Sequence, residues 1–415
     1  MCCEGRIPGA AFIRAFHLNV GMRYPPSKVS LFPSRTIHFS NETELGEGLE
    51  CVVEDSRVFL DIQGHRMRTA LMILAALLGP LALLLLVGAV YQIFGTSRDL
   101  RRFPPPGRLV HVDKRRMHIL VTGEGTPAVV FESGMGASCL SWTQVQPEVA
   151  QFSRAVSYDR AGHGWSEAAR EPRTAWQIAQ DLHALLNAAG VPGPYVLVGH
   201  SFGGYVNLAF ADLFRDDVAG MVLVDPIHPA EWETPTPEQL RVIKVGLRYA
   251  RIGSWLARFG LVRLCLAREA RGSPGLAWAA ASAFGPAVTS ALQRIVGEIH
   301  KLPAPTLPVV RGLWSQPRNF LSLRQYVAAL PVSAAQAAAV RSLGDLPLVV
   351  LSGDHHVLSY IDWQRDLARR SSRGQQLVAR NSGHWIHLDH PDLVTQAIRE
   401  VIGAAPHHRR SMSPC

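Results

Sequence analysis

Cysteine is scarce and unpaired: six in 415 residues, at positions 2, 3, 51, 139, 265 and 415, with no C-x-x-C. That excludes a disulfide-built scaffold and a zinc ribbon. Charge is thin as well, at 18% against 47% hydrophobic residues. This excludes a disordered chain and leaves enough apolar side chains for a sizeable core. Acidic residues fall short of basic ones, 33 against 42, for a net charge of +9. The cations are scattered and not interleaved with aromatics, so no nucleic-acid partner is expected, and the excess reads as a bias towards membrane surfaces. No internal repeat is visible. At roughly 100–200 residues per domain, the length allows two or three structural units.

Charge vanishes altogether for 29 residues between Thr69 and Ser97, and Ala70 to Tyr91 is apolar apart from Gly79, Pro80 and Gly88. About 20 apolar residues cross the ~30 Å hydrocarbon layer, and an interior Pro80 is tolerable in a membrane helix. A cleaved signal peptide would have a shorter apolar region of roughly 7–15 residues and a small-residue cleavage site; this run ends instead in Val90-Tyr91-Gln92-Ile93-Phe94. Residues 69–97 are therefore expected to be an uncleaved single-pass anchor. Arg66 and Arg68 precede it, and Arg98, Arg101, Arg102 and Arg108 follow; this flank count favours a cytoplasmic downstream domain. Residues 1–65 carry Gly, Pro and Ser without a sustained period and are expected to be a poorly ordered extension. Initiation at Met67 would leave only a short basic lead before the anchor.

Beyond a stiff Phe103-Pro104-Pro105-Pro106-Gly107 linker, strands and helices alternate. Arg108–Leu120 reads as the start of a hairpin. Strand signals follow at Ala128–Glu132, Ala155–Tyr158, Tyr195–Val198, Val222–Asp225 and Leu348–Ser352, with helices over Ala175–Ala189, Gly203–Phe214 and Pro391–Ile402. Such alternation predicts a mostly parallel, doubly wound α/β sheet.

Strand Tyr195-Val196-Leu197-Val198 runs into Gly199-His200-Ser201-Phe202-Gly203-Gly204 and then into a helix. A G-x-S-x-G in that setting is a nucleophile elbow: a sharp strand-to-helix turn that holds Ser201 in strained geometry and projects its hydroxyl. Side chains at Gly199 or Gly203 would collide with their neighbours. The helix start supplies the Phe202 N–H as a donor for developing negative charge.

On these residues the chain, from about Arg108 to Ala404, resembles the α/β-hydrolase superfamily. Tyr158-Asp159-Arg160-Ala161-Gly162-His163-Gly164-Trp165-Ser166 is similar to the family's loop after its fourth strand, and Asn381-Ser382-Gly383-His384-Trp385-Ile386-His387-Leu388-Asp389-His390-Pro391 to its terminal histidine loop. The resemblance implies a core of residues 108–226 and 346–404 and the catalytic order Ser, acid, His. It implies His384 as the proton shuttle, because that residue lies between a strand-like Gln376–Ala379 and the last helix; His163, His200, His387 and His390 read as packing or surface residues. Two strand-end carboxylates can supply the acid, Asp225 and Asp354, with Asp225 ranked first. The position that many relatives use is His356 here. By resemblance the Met135 N–H is the second oxyanion donor, in a loop where Glu132 stands in place of a frequent histidine.

Residues 227–345 are long for a connection and are expected to be a helical cap. Arg241, Lys244, Arg248 and Arg251 fall on one helical face, and Trp232, Trp255, Phe259 and Trp278 add apolar surface. Two readings stay open: a lid resting on an anionic membrane, or a solvated basic face with aromatics in the core. The expected function is a membrane-anchored serine hydrolase acting on a small apolar ester or lipid-like substrate without metal or organic cofactor. Alternatives are an acyltransferase and a non-catalytic, membrane-tethered binding module. Serine at the elbow argues against epoxide hydrolases and haloalkane dehalogenases of the superfamily, which carry aspartate there.

Overall fold

Short runs rich in Val and Leu build one eight-stranded sheet, and where both faces are covered these runs lose the polar alternation of a half-exposed strand. The computed structural model describes residues 42–169, 171–269, 289–290, 299–354 and 358–405. The strands are β1 (Arg108–Val112), β2 (Arg115–Thr122), β3 (Ala128–Glu132), β4 (Ala155–Tyr158), β5 (Tyr195–His200), β6 (Val218–Val224), β7 (Leu348–Gly353) and β8 (Gly374–Ala379). Their spatial order is β1-β2-β4-β3-β5-β6-β7-β8. The β1–β2 and β2–β4 pairs are antiparallel; all pairings from β4 to β8 are parallel.

Among the described residues the helices of eight residues or more are α1 (Glu42–Arg102), α2 (Ala175–Ala188), α3 (Gly203–Leu213), α4 (Pro237–Arg258), α5 (Leu261–Glu269), α6 (Leu307–Trp314), α7 (Pro317–Ala339), α8 (Leu358–Arg369) and α9 (Pro391–Ala404). Alternate strand residues divide between the two sides of the sheet. Val130, Leu197, Leu223 and Val350 belong to the core cluster that includes residues of α2 and α3. Val129, Val196, Val222 and Val349 join the cluster that includes Val394, Ile398 and Val401 of α9. This is the doubly wound arrangement. Burial of each such side chain contributes about 1.5–3 kcal/mol. Between β6 and β7 the described elements are helical, α4 to α7. α4 starts sharply because Thr236 and Gln239 form a reciprocal capping box with Pro237 in the first turn, satisfying N–H groups that otherwise lack partners.

The chain divides into two compact units, Met1–Leu77 and Leu78–Cys415. The charge-free segment lies within α1, with Pro80 inside it, and Leu60–Arg102 is long and apolar enough to be a candidate membrane span. Residues 42–65, expected to be irregular, are instead the first part of α1. No proline interrupts them, and extending an existing helix costs far less than nucleating one. Residues 1–41, with Cys2 and Cys3, lie outside the described residues.

Candidate active site

At the end of β5 the chain reverses into α3 with Ser201 at φ +55°, a conformation that costs a non-glycine residue of order 1–3 kcal/mol and that tertiary contacts must hold in place. The flanking glycines are needed for space. A Cβ at Gly199 would lie 2.5 Å from Asn207 Nδ2, and one at Gly203 would lie 2.6 Å from the Glu132 carbonyl oxygen. The turn is stitched to the next strand: the Ser201 N–H donates to the Val224 carbonyl (3.1 Å), and the Ile227 N–H donates to the Ser201 carbonyl (3.3 Å).

Those bonds bring the end of β6 beside Ser201. Asp225, fully buried and also at positive φ (+44°), sets its Oδ2 2.6 Å from His384 Nδ1, while its Oδ1 accepts the Gly353 N–H at 3.1 Å. Asp354, the other sequence candidate, accepts from the backbone N–H groups of Asn381 (2.7 Å) and Ser382 (3.3 Å). The structure thus joins Asp225 to the imidazole and Asp354 to the backbone upstream of His384. His356 lies outside the described residues.

Met135 and Phe202 flank Ser201. Neither backbone N–H donates to a backbone acceptor among the described residues. Arg160, almost fully buried, donates from Nη2 to the Ser133 and Gly134 carbonyls. Gly134 C=O and Met135 N–H belong to one trans peptide and point in opposite directions, so a guanidinium holding the carbonyl aims the N–H the other way. Glu132 is explained by the same group: Arg160 Nε lies 3.1 Å from its Oε1, and Tyr158 donates its hydroxyl to Oε2. Arg160 carries no motif of its own beyond its place in the loop, and the polar contacts of its guanidinium with Glu132, Ser133 and Gly134 are all long-range.

Ser201 and His384 line one cavity of about 130 Å³, together with Gly134, Met135, Ile227, Trp232 and Trp385, and with Val242, Ile243 and Tyr249 from α4. That is close to the ~150 Å³ cavity size that holds one benzene. His200 donates from Nε2 to the His384 carbonyl at 3.0 Å, tying the two loops. Asp389 secures the histidine loop from the other side, accepting from the Gly383 N–H (3.0 Å), the Ser382 hydroxyl (3.1 Å) and Lys301 (2.6 Å). Burial pushes the Asp389 carboxyl up, but these donors hold it below the ordinary value. His118, Cys139 and Asp159 cluster as a metal site would, yet their atoms already serve one another. His118 Nδ1 bonds to Asp159 (2.9 Å), its Nε2 accepts the Gly107 N–H (3.2 Å), and Asp159 also accepts from the Cys139 and Trp165 N–H groups. Burial and Asp159 push the Cys139 thiol well up, away from the thiolate that a metal would need.

His163 and His387 are fully enclosed, and burial pushes both down to about 3. Arg160 adds to the shift at His163 and His384 at His387. Their ordinary value is near 6.5, so as pH falls below that the unfolded chain takes up protons that the folded chain refuses. Stability is therefore expected to fall from about pH 6.5 towards 3, each group contributing a slope of up to about 1.4 kcal/mol per pH unit. Among the described residues neither nitrogen of His387 has a hydrogen-bond partner, and its ring packs on Trp142 at 4.7 Å. His387→Phe should keep the packing and flatten the pH dependence of urea unfolding; an unchanged slope contradicts this reading.

The sequence profile of the Alpha/beta hydrolase family matches residues 129–397. YqjL of Bacillus subtilis is 38% identical over 104 residues, 25% of this chain and 41% of YqjL. A Gibberella zeae protein described as an AB hydrolase superfamily protein is 34% identical over 103 residues, 24% of this chain and 32% of its own length. The chain thus spans less than half the length of these curated relatives. Among solved structures, a thermophilic esterase from Thermogutta terrifontis with bound malate superposes with a TM-score of 0.51 at 23% identity, covering 72% of this chain and 98% of that one. The enol-lactonase from Burkholderia xenovorans gives 0.52 at 18%, with 71% and 100% covered, and the epoxide hydrolase CorEH 0.52 at 18%, with 72% and 98%. At such identities the likeness is one of fold.

Proposed function

The chain belongs to the α/β hydrolase family, and from that premise we propose that it is a serine hydrolase cleaving an uncharged ester or similar acyl bond, tethered to a membrane by α1. The observation that carries the reading is the 2.6 Å contact between His384 Nδ1 and Asp225, at the rim of the cavity that also holds Ser201. Ser201 at the turn acts as the elbow nucleophile. The Asp225 carboxylate fixes the tautomer with the proton on Nδ1, leaving Nε2 to accept the Ser201 proton. Attack forms a tetrahedral oxyanion that the Met135 and Phe202 N–H groups receive, each typically worth ~10²–10³ in rate. His384 returns the proton to the leaving alkoxide as the acyl-enzyme forms. Water, activated by the same imidazole, releases the acid and restores Ser201.

The largely apolar lining favours an uncharged acyl group. Of the activities carried by solved neighbours, esterase and lactonase fit serine at 201, whereas epoxide hydrolases of the superfamily use aspartate there. Turnover of p-nitrophenyl esters of rising chain length tests the proposal, with free acid as the expected product and an optimum set by the cavity. If no ester turns over in folded protein, hydrolase function is rejected; acyl transfer to added alcohol in preference to water points to the transferase.

A further inference from the structure

The outer face of α4 is not used by the chemistry. α4 lines the Ser201 cavity with Val242, Ile243, Gly246 and Tyr249. At 100° per residue, Arg241, Lys244, Arg248, Arg251 and Trp255 lie on the opposite side of the helix, and all five are exposed. From Gln239 to Arg268 the chain carries seven Arg and Lys and no Asp or Glu, so the surface has a single sign of charge. Trp255 leaves 53% of its surface exposed, and beside it Ile252 (46%) and Leu256 (41%) are exposed too. These aromatics were open to a reading as core residues; Trp255 is not one, and Trp278 lies outside the described residues.

What covers this face is indicated by where α4 ends. Its C-terminal corner packs on α1. A Cβ at Gly88 would strike the Phe259 carbonyl, and one at Gly260 would come within 2.6 Å of the Tyr91 ring, so these glycines allow the backbones to touch. Arg263 of α5 then bonds to Gln92 (3.1 Å), Thr96 (3.3 Å) and Asp99 of α1. Gly88 to Tyr91 is where the apolar run stops and where, in a spanning helix, hydrocarbon gives way to headgroups. A basic face with Trp and aliphatic side chains at that level matches an anionic lipid surface in charge and in depth. A nucleic acid or a soluble protein would satisfy the charge but give no reason for the continuity with α1.

We propose that the exposed face of α4, from Arg241 to Trp255, lies in the headgroup layer of the anionic bilayer that α1 enters, so that apolar substrate reaches the Ser201 cavity from the lipid. The proposal deepens the hydrolase reading and rests on it for the chemistry; the lipid contact is measurable without catalysis.

The test uses the full chain carrying Ser201→Ala in nanodiscs of phosphatidylcholine with or without phosphatidylglycerol, doped with lipid brominated near the head of its acyl chains. Tryptophan emission is expected to be quenched in the anionic discs and to lose that quenching on Trp255→Phe. Arg248→Glu with Arg251→Glu should lower quenching to the level of zwitterionic discs. Equal quenching with and without Trp255, or a chain that does not enter the discs, overturns the proposal. With Ser201 restored, the charge-reversed protein is expected to lose turnover of a long-chain ester dissolved in the bilayer and to keep that of p-nitrophenyl acetate. Equal loss of both contradicts entry from the lipid, whereas absence of turnover in the parent strikes only the hydrolase reading.

Discussion

Ser201→Ala is expected to lower ester turnover by about 10⁴- to 10⁶-fold with little change in substrate binding. In the proposed mechanism the hydroxyl is the group that changes covalency, while the pocket and the Met135 and Phe202 N–H groups survive the substitution. Alanine adopts the +55° backbone no more readily than serine, so the turn keeps its strain and the fold its stability. Thermal unfolding of the variant beside the parent separates lost chemistry from lost structure. Retention of more than about a hundredth of the activity in a folded variant would assign the nucleophile elsewhere, because the remaining effects of positioning and oxyanion binding do not replace a covalent step.

The second large effect concerns the acid. Asp225→Asn is expected to reduce kcat by about 10⁴-fold. The amide can offer its oxygen either to His384 Nδ1–H or to the Gly353 N–H, where the carboxylate serves both. If its NH₂ faces the ring instead, the imidazole adopts the tautomer with the proton on Nε2 and cannot accept from Ser201. Asp354→Asn changes a residue that accepts from the backbone N–H groups of Asn381 and Ser382. It is expected to cost no more than about tenfold, through looser placement of the histidine loop. Equal losses from the two substitutions would remove the distinction drawn between them.

Resemblance ranked Asp225 only slightly ahead of Asp354, and which carboxylate meets His384 was not legible in the local pattern of the chain. Both follow an apolar strand, and local pattern treats them alike. The sheet order decides: β6 lies between β5 and β7, so the Val224 carbonyl can hold the Ser201 N–H and the next residue faces the histidine. The strands themselves were legible because Ala128–Glu132 and Ala155–Tyr158 are short apolar runs, with the same bounds in the structure. The start of α1 was not, since Gly46 and Gly48 and mixed charges mask a helix that the apolar segment propagates backwards. Arg160 was readable only as one residue of a loop. Its hold on Gly134 joins positions 26 residues apart, which no spacing rule anticipates. The cap helix lies between these cases: spacing alone put Arg241 to Arg251 on one face, but only packing revealed Trp255 as exposed.

The claim on which the account depends is that the acyl group of the substrate passes through the hydroxyl at 201. The most direct measurement is to quench the reaction with p-nitrophenyl acetate in acid, digest the protein and read the peptide masses. An acetyl group on the peptide that contains Ser201, absent when His384 is replaced by alanine, is the predicted result. Acetyl on another residue, or turnover with no covalent adduct at any time, would contradict it.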